Sequence, residues 1–310
     1  MKKIKLLLKI LIIIFSCLIF FPVLIFLKSY LYRDTGYKKV EAYRHLFGLS
    51  LANSTASVNM KLIEDIDNEK YNKDINFIVK EAGNDAKHQC EDIDELEKYG
   101  VDILIISPID DELVRDKIKS VNKNIPVIIL DDRSFFDYGT AFIEYNNYEA
   151  GRLLAERLKN ESATENGIVL ISGMKDEYVN KERERGFLDN LDKAHKEGLT
   201  VLEGNKNRDD AENIMKYYLV SGRKAGCVVA LDDEMAYGAY LGARKLREFE
   251  IKFYGINGFE GENKGRELEN KGILEKTVGF ENMYETVTDT ALKIVENEDF
   301  KKYYVLDIKE

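Results

Sequence analysis

The sequence predicts an α/β protein built from two doubly wound parallel sheets in tandem, on three observations. Short unbroken runs of Ile, Val and Leu, such as "VDILIISP" and "IPVIILDD", alternate with amphipathic helical stretches, as expected of parallel strands covered on both faces. The alternation restarts after Asn147, so each half has the size of one domain. Strands in both halves stop abruptly in acid or amide: "VIILDD" ends in Asp131 and Asp132, "CVVALD" in Asp232, and "YGING" carries Asn257.

Taken in order, the first half reads as strand "HLFGLSL", helix "TASVNMKLIEDIDNEKY", strand "INFIVKEA", helix "EDIDELEKYG", strand "VDILIISP", helix "DELVRDKIKSV", strand "IPVIILDD", strand "TAFIEYN" and helix "YEAGRLLAERLKN". The second reads as strand "NGIVLISG", a helix through "KERERGFLDNLDKAH", strand "LTVLEGN", helix "DDAENIMKYYLVS", strand "GCVVALD", helix "DEMAYGAYLGARKL", strand "IKFYGING", helix "EGENKGRELEN" and strand "ILEKTVGF". A last helix, "NMYETVTDTALKIVENE", and a last strand, "YYVLDI", exceed what either half needs. The helix is expected to return to the first lobe.

The N-terminus is different in kind. Behind Lys2, Lys3, Lys5 and Lys9 the chain is uncharged for 18 residues, Ile10 to Leu27. At about 1.5 Å per residue, a helix of this length almost crosses a hydrocarbon core of roughly 30 Å. A cleaved signal sequence is the alternative, but its apolar region is typically about 7–15 residues and ends in small residues. Neither property holds here, so residues 1–31 are expected to be a retained single-pass anchor and 32–44 a tether. The lysines ahead of the apolar run favour a cytoplasmic N-terminus, with everything after Lys28 outside the cell membrane.

Composition narrows the function. Without the five lysines of residues 1–28 the chain carries 41 basic against 56 acidic residues, a net of −15, which repels nucleic acid and anionic lipid. The three cysteines and three histidines have no ligand spacing, so neither a zinc site nor a disulfide framework is expected, nor any cofactor. No nucleophile elbow, phosphate loop or dinucleotide fingerprint follows any strand. The one enzyme reading to weigh is a glycosidase using Asp131 or Asp132 with Asp232.

In open α/β sheets the ligand crevice lies beyond the carboxyl ends of the strands. Two lobes facing each other there would bring Asp131, Asp132, Asp232 and Asn257 to a shared cleft. Carboxylates and carboxamides suit vicinal hydroxyls, and an arginine adds donors in a fixed plane. Each acid alone is as well explained by a solvated loop or a helix cap; recurrence at equivalent strand ends in both halves, Asp131 in the first and Asp232 in the second, favours a polyol site. "KERERGF" reads as an ion-paired helix face, and spacing alone does not choose Arg183 over Arg185.

At these residues the sequence resembles the type I periplasmic sugar-binding proteins of the ribose and xylose kind, from about Leu46 to Ile308. The signposts stand in order as "LFGLSLANS", "GVDILIISP", "IPVIILDD", "YNNYEAGRLLA", "RERGF", "LDDEMAYGA" and "FYGINGFE". The resemblance implies two lobes joined by a three-crossing hinge near Tyr145–Asn147, Gly279–Glu281 and Lys301–Val305. The N-terminal lobe would then be 45–145 plus 281–302, and the C-terminal lobe 146–280 plus 303–310. Its sugar contacts fall on Asp131, Asp132, Arg183, Asp232, Asn257 and Phe280, with a first-lobe contact around Asn53 and Ser54. Several positions depart from the family pattern. Asp132 stands where ribose-type members have an Arg, with Arg133 one place later. The paired stacking aromatics fall at Ala56 and Ser57, leaving Phe135, Phe136 or Tyr178 to supply an aromatic face.

Three roles share this architecture. A repressor's effector domain is set aside, because an anchor and an acidic exterior replace any DNA-reading module. The anchor, the short tether and the lack of an output module after the lobes point to a sensor of the xylose-responsive kind, partnering a membrane histidine kinase. The alternative is the substrate-binding component of an ABC transporter, with a permease as partner. In either case the ligand is expected to be a monosaccharide.

Overall fold

The computed structural model describes residues 44–53, 57–68, 74–159, 166–175, 177–205 and 207–309. The expected anchor, and the tether up to residue 43, lie outside these. Among the described residues no helix is long and apolar enough to cross a membrane.

The first half runs β1 (His45–Leu51), α1 (Ser57–Asn68), β2 (Ile75–Glu81), α2 (Ala86–Tyr99), β3 (Ile103–Ser107), α3 (Glu112–Val121), β4 (Val127–Leu130) and β5 (Ala141–Tyr145), with a 3-10 turn at Arg133–Phe135. The second runs α4 (Asn147–Leu158), β6 (Ile168–Ser172), α5 (Tyr178–Asn190), α6 (Lys193–Glu197), β7 (Leu199–Glu203), α7 (Arg208–Val220), β8 (Cys227–Ala230), α8 (Asp233–Lys245), β9 (Lys252–Asn257), α9 (Gly265–Asn270) and β10 (Lys276–Phe280). Then follow α10 (Met283–Val295), β11 (Tyr303–Leu306) and β12 (Ile308–Lys309). Short polar side chains start the helices: Asp85, Asp111 and Asn207 each accept a backbone N–H of the first turn, satisfying donors that the helix leaves open.

The described strands form two six-stranded sheets, ordered β11-β5-β4-β3-β1-β2 and β12-β10-β9-β8-β6-β7. Every recorded pairing is parallel except β10 with β12. The inner strands are buried along most of their length, and wholly so in "VIIL" and "CVVA"; continuous branched apolar runs suit a strand with helices on both faces. In each sheet the first strand of the half lies inside, with the second on one side and the third on the other. That reversal of strand order opens a crevice at the carboxyl ends.

Three features differ from the sequence-based expectation. First, β11 pairs in parallel with β5, so residues 303–306 belong to the first sheet and not the second. The third crossing is therefore at Asp307, not across Lys301–Val305, and only β12 reaches the second sheet. The crossings are tied together: Asn146 N donates to Leu306 O at 3.0 Å and Glu281 N to Asp307 O at 3.1 Å. Second, the helix expected through "KERERGFLDNLDKAH" is two helices, because Leu191 is extended and Asp192 starts a new turn by accepting from His195 N. Third, β4 and β8 do not hold equivalent ranks: β4 corresponds to β9 and β8 to β3. Asp131 is thus the counterpart of Asn257, not of Asp232.

Candidate functional site

The carboxyl ends of both sheets converge on a cavity of about 510 Å³, lined by Asn53, Ser57, Asp131 and Asp132 from one side and by Tyr178, Arg183 and Asp232 from the other. Of the residues singled out in the sequence, Asn53, Asp131, Asp132, Arg183 and Asp232 line it. Ser54 lies outside the described residues.

Arg183 is the hub of the second lobe. Its position on α5 is set by backbone contact between α4 and α5: a Cβ on Gly186 would lie 2.0 Å from Tyr148 O, and one on Gly151 2.0 Å from Arg183 O. Only glycine permits that approach. Arg183 is 3% exposed. Its Nε donates to Asn147 Oδ1 at 2.8 Å, one Nη to Leu231 O at 2.6 Å and the other to Asn257 Oδ1 at 2.9 Å. Burial pulls its pKa below the ordinary guanidinium value, against the raising effect of Asp232 and Asp131. Arg185, the other reading of the motif, is exposed, pairs with Glu182 and stacks over Tyr148.

Asp232 caps α8 by accepting from Glu234 N at 2.7 Å. Its other oxygen accepts from Asn257 Nδ2 and, across the cavity, from Ser57 Oγ, each at 2.7 Å. Asp233 stands next to it in the chain. It is buried behind the site, accepts from Thr277 Oγ1 and Gly258 N, and is pushed up to about 8 by burial. Glycines at 255 and 265 make room for it, since a Cβ on either would lie within 2.1 Å of its carboxylate.

Asn257 and Phe280 stand one layer behind the cavity. Asn257 orders Arg183 and Asp232 together, and the Phe280 ring lies 5.6 Å from the Arg183 guanidinium and 4.4 Å from the Tyr145 ring. On the first-lobe side, Asp131 holds a positive φ of 53° while its carboxylate accepts from Tyr145 N at 2.8 Å. Asp and Asn tolerate this backbone better than most residues. Asp132 accepts from Ser134 N and Oγ, starting the 3-10 turn, and burial raises its pKa.

Arg133 turns to Glu144 and the Tyr303 ring, outside the cavity lining, so Asp132 is the residue that faces it. Glu144, buried under that contact, is pushed up to about 7 by burial, with Arg133 opposing, and bonds the hydroxyl of Tyr178. Among the described aromatics, only Tyr178 lines the cavity; Phe135 is buried in the first-lobe core and Phe136 packs on Phe142. Asn59, Asn84, Ser107, Asp110, Glu177 and Asn205, with Lys175 at the rim, are the remaining polar lining and carry no sequence signal of their own.

A family profile described as a periplasmic binding protein domain matches residues 48–296. The ribose import binding protein of Escherichia coli K12 is 24% identical over 238 residues, covering 76% of this chain and 79% of that one. A xylitol-binding protein of Mycolicibacterium smegmatis is 25% identical over 219 residues, 66% of this chain and 62% of its own length. Among solved structures, the fructose-binding periplasmic domain of a hybrid two-component system superposes with a TM-score of 0.72 at 26% identity, covering 86% of this chain and 89% of that one. An ABC transporter solute-binding protein of Bacillus halodurans with bound myo-inositol superposes at 0.70 with 23% identity, covering 86% and 95%. The chain therefore belongs to the periplasmic binding protein family, as a type I member, and its matched relatives are binding proteins and not enzymes.

Proposed function

We propose that the chain is an extracytoplasmic monosaccharide-binding protein, held at the cell membrane by residues 1–31, that serves as the sensing component for a membrane histidine kinase. The observation that carries the ligand class is the convergence of Asp131, Asp132, Arg183 and Asp232 on one cavity at the ends of both sheets. Fixed carboxylates and a guanidinium are the groups that read a ring of hydroxyls. Asn257 and Phe280 act as positioning residues, by ordering Arg183. Of neutral monosaccharides, a pentose of the xylose type is the first to test.

Closure is the mechanism. Ligand bridging the two lobes favours the closed arrangement by its differential affinity, and a partner surface spanning both lobes reads the change. Cross-lobe contacts already outline that arrangement: Ser57 to Asp232, Tyr178 to Glu144, and Lys264 Nζ to Glu64 at 3.8 Å. Likeness to the sugar-binding domain of a hybrid two-component system supports the sensor role. Relatives named as import binding proteins support a second reading, in which the partner is an ABC permease.

Thermal-shift and calorimetric titration of the purified chain against monosaccharides tests the ligand class, since a ligand specific to the native state raises Tm by mass action. Binding without turnover is expected, and a complete panel with neither shift nor heat refutes the reading. Affinity capture from membranes tests the role: a histidine kinase should be recovered, whereas permease subunits alone would transfer the chain to transport.

A further inference from the structure

The cleft does not end at the cavity lined by Asp131, Asp132, Arg183 and Asp232. A second chamber of about 420 Å³ adjoins it, and Asn53, Asn84, Met174, Glu177 and Asn205 line both spaces. Each space alone falls within the roughly 300–1,000 Å³ typical of a small-ligand site. Sheet order shows where the outer chamber lies. The chain crossings join the two sheets at their β5/β11 and β10/β12 margins, and β2 and β7 stand at the opposite margins. Asn84 follows β2 and Asn205 follows β7, so this chamber sits beside the inner cavity on the side away from the crossings.

Its lining repeats one device from each lobe. β2 and β7 are the second strands of their halves, and the asparagine after each holds a left-handed backbone, with φ 62° at Asn84 and 50° at Asn205, which asparagine tolerates. Asn84 Oδ1 accepts from Asn53 Nδ2 at 2.8 Å, and Asn205 Nδ2 donates to Asp210 at 3.0 Å. These bonds orient the two carboxamides. A carboxamide carries two donors and two acceptor sites, more than the bonds use.

Apolar surface and matched charge make up the rest. Met60 of α1 lines the outer chamber from the first lobe and Met174, after β6, from the second; Met174 is 45% exposed. Arg208 donates to Glu234 at 3.0 and 2.6 Å, and Lys264 Nζ lies 3.8 Å from Glu64. An anionic substituent would find both cations engaged. A neutral sugar ring, with hydroxyls on its edge and CH groups on its face, matches amides that both give and take hydrogen bonds and thioethers that adapt to an apolar surface.

We propose that the outer chamber is a second sugar subsite, so that the cleft takes a disaccharide: one ring in the inner cavity, the other between Asn84 and Met60 of the first lobe and Asn205 and Met174 of the second. This rests on the reading of the inner cavity as a monosaccharide site. The test is calorimetric titration of the full chain with xylose, glucose and galactose alongside xylobiose, cellobiose, maltose and lactose. At least one disaccharide should bind about tenfold tighter than the better of its component monosaccharides. Met60 lines the outer chamber and not the inner one. Met60→Trp, which fills the chamber, should remove that advantage and leave monosaccharide affinity within about twofold, the retained affinity showing that the variant is folded. Should the indole not be accommodated, the comparison on the unaltered chain still decides. Disaccharides binding no tighter than a monosaccharide that does bind, or an advantage that survives in a folded Met60→Trp chain, would overturn the second subsite and leave the monosaccharide reading standing. No binding by any of these sugars would overturn both.

Discussion

In the first lobe the strand of fourth rank, β4, is followed at once by Asp131 with φ 53°; in the second, the strand of the same rank, β9, ends at Asn257 with φ 124°. Both hold a backbone that most side chains avoid. Their side chains are put to opposite uses. Asp131 faces the cavity, whereas Asn257 is spent on bonds to Arg183 and Asp232. The first lobe thus presents charge at the surface of the cleft, and the second presents groups fixed from behind by a buried network. At this rank one topology, used twice, has yielded a cavity-facing side chain in the first lobe and a positioning one in the second, where Arg183 and Asp232 face the cavity instead.

The largest asymmetry is expected at the hub. Removing Arg183 takes away the guanidinium that buried Asp131 and Asp232 act on, and breaking a buried charge network in this way typically costs about 3–5 kcal/mol. Arg183→Ala should therefore lower Tm markedly and abolish measurable sugar affinity, while Asp131→Ala should reduce affinity with a smaller loss of Tm. Equal losses of stability in the two variants would erase the distinction between the lobes.

The next contrast lies in the glycines. A Cβ on Gly186 would strike the Tyr148 carbonyl at 2.0 Å, a backbone atom that cannot swing aside. In the first lobe a Cβ on Gly48 would meet side-chain atoms of Leu104 at 3.0 Å and of Leu96 at 3.3 Å. Overpacking of a core costs typically about 1–3 kcal/mol. Gly186→Ala should reach at least that and displace Arg183 with α5, whereas Gly48→Ala should cost less; denaturant midpoints of the two variants give the comparison.

Proton linkage separates the lobes more gently. Glu144 of the first lobe is pushed up to about 7 and Asp233 of the second to about 8. In the folded chain each keeps its proton at pH values where the unfolded chain, titrating near the ordinary carboxylate range of about 4, has released it. The folded state then binds more protons, so the contribution of these groups falls as pH rises from about 4 through 7 and 8. Glu144→Gln should flatten the part of this dependence below pH 7 in a Tm-against-pH series, and Asp233→Asn the part extending to about 8. The smallest effect is expected from Ser57→Ala, which removes one hydrogen bond between the lobes, worth about 0.5–1.5 kcal/mol. It should weaken closure around ligand without changing the Tm of the unliganded chain by more than a few degrees.

Much of this architecture is legible in the sequence because strand burial writes itself as unbroken Ile, Val and Leu, and because strand ends are where a doubly wound sheet receives ligand. Asp131 and Asp232 were found that way. Their apparent equivalence was misleading: both follow apolar runs, but rank in the sheet is set by pairing, which local sequence does not encode. The same limit explains Tyr303–Leu306, whose partner β5 lies far away in the chain. Arg183 and Arg185 differ only in which face of α5 they occupy, and the tight glycine contact with α4 decides that. Asn59, Asn84 and Asn205 carry no local signature, since polar residues near helix starts are equally common as caps.

We propose that one small carbohydrate is held between the carboxyl ends of the two sheets. A crystal structure of the chain grown with the tightest-binding monosaccharide tests it most directly. The ring should lie within hydrogen-bonding distance of Asp131 or Asp132 on one side and of Asp232 or Arg183 on the other. A sugar bound elsewhere on the surface, with those four side chains contacting only protein, would contradict it.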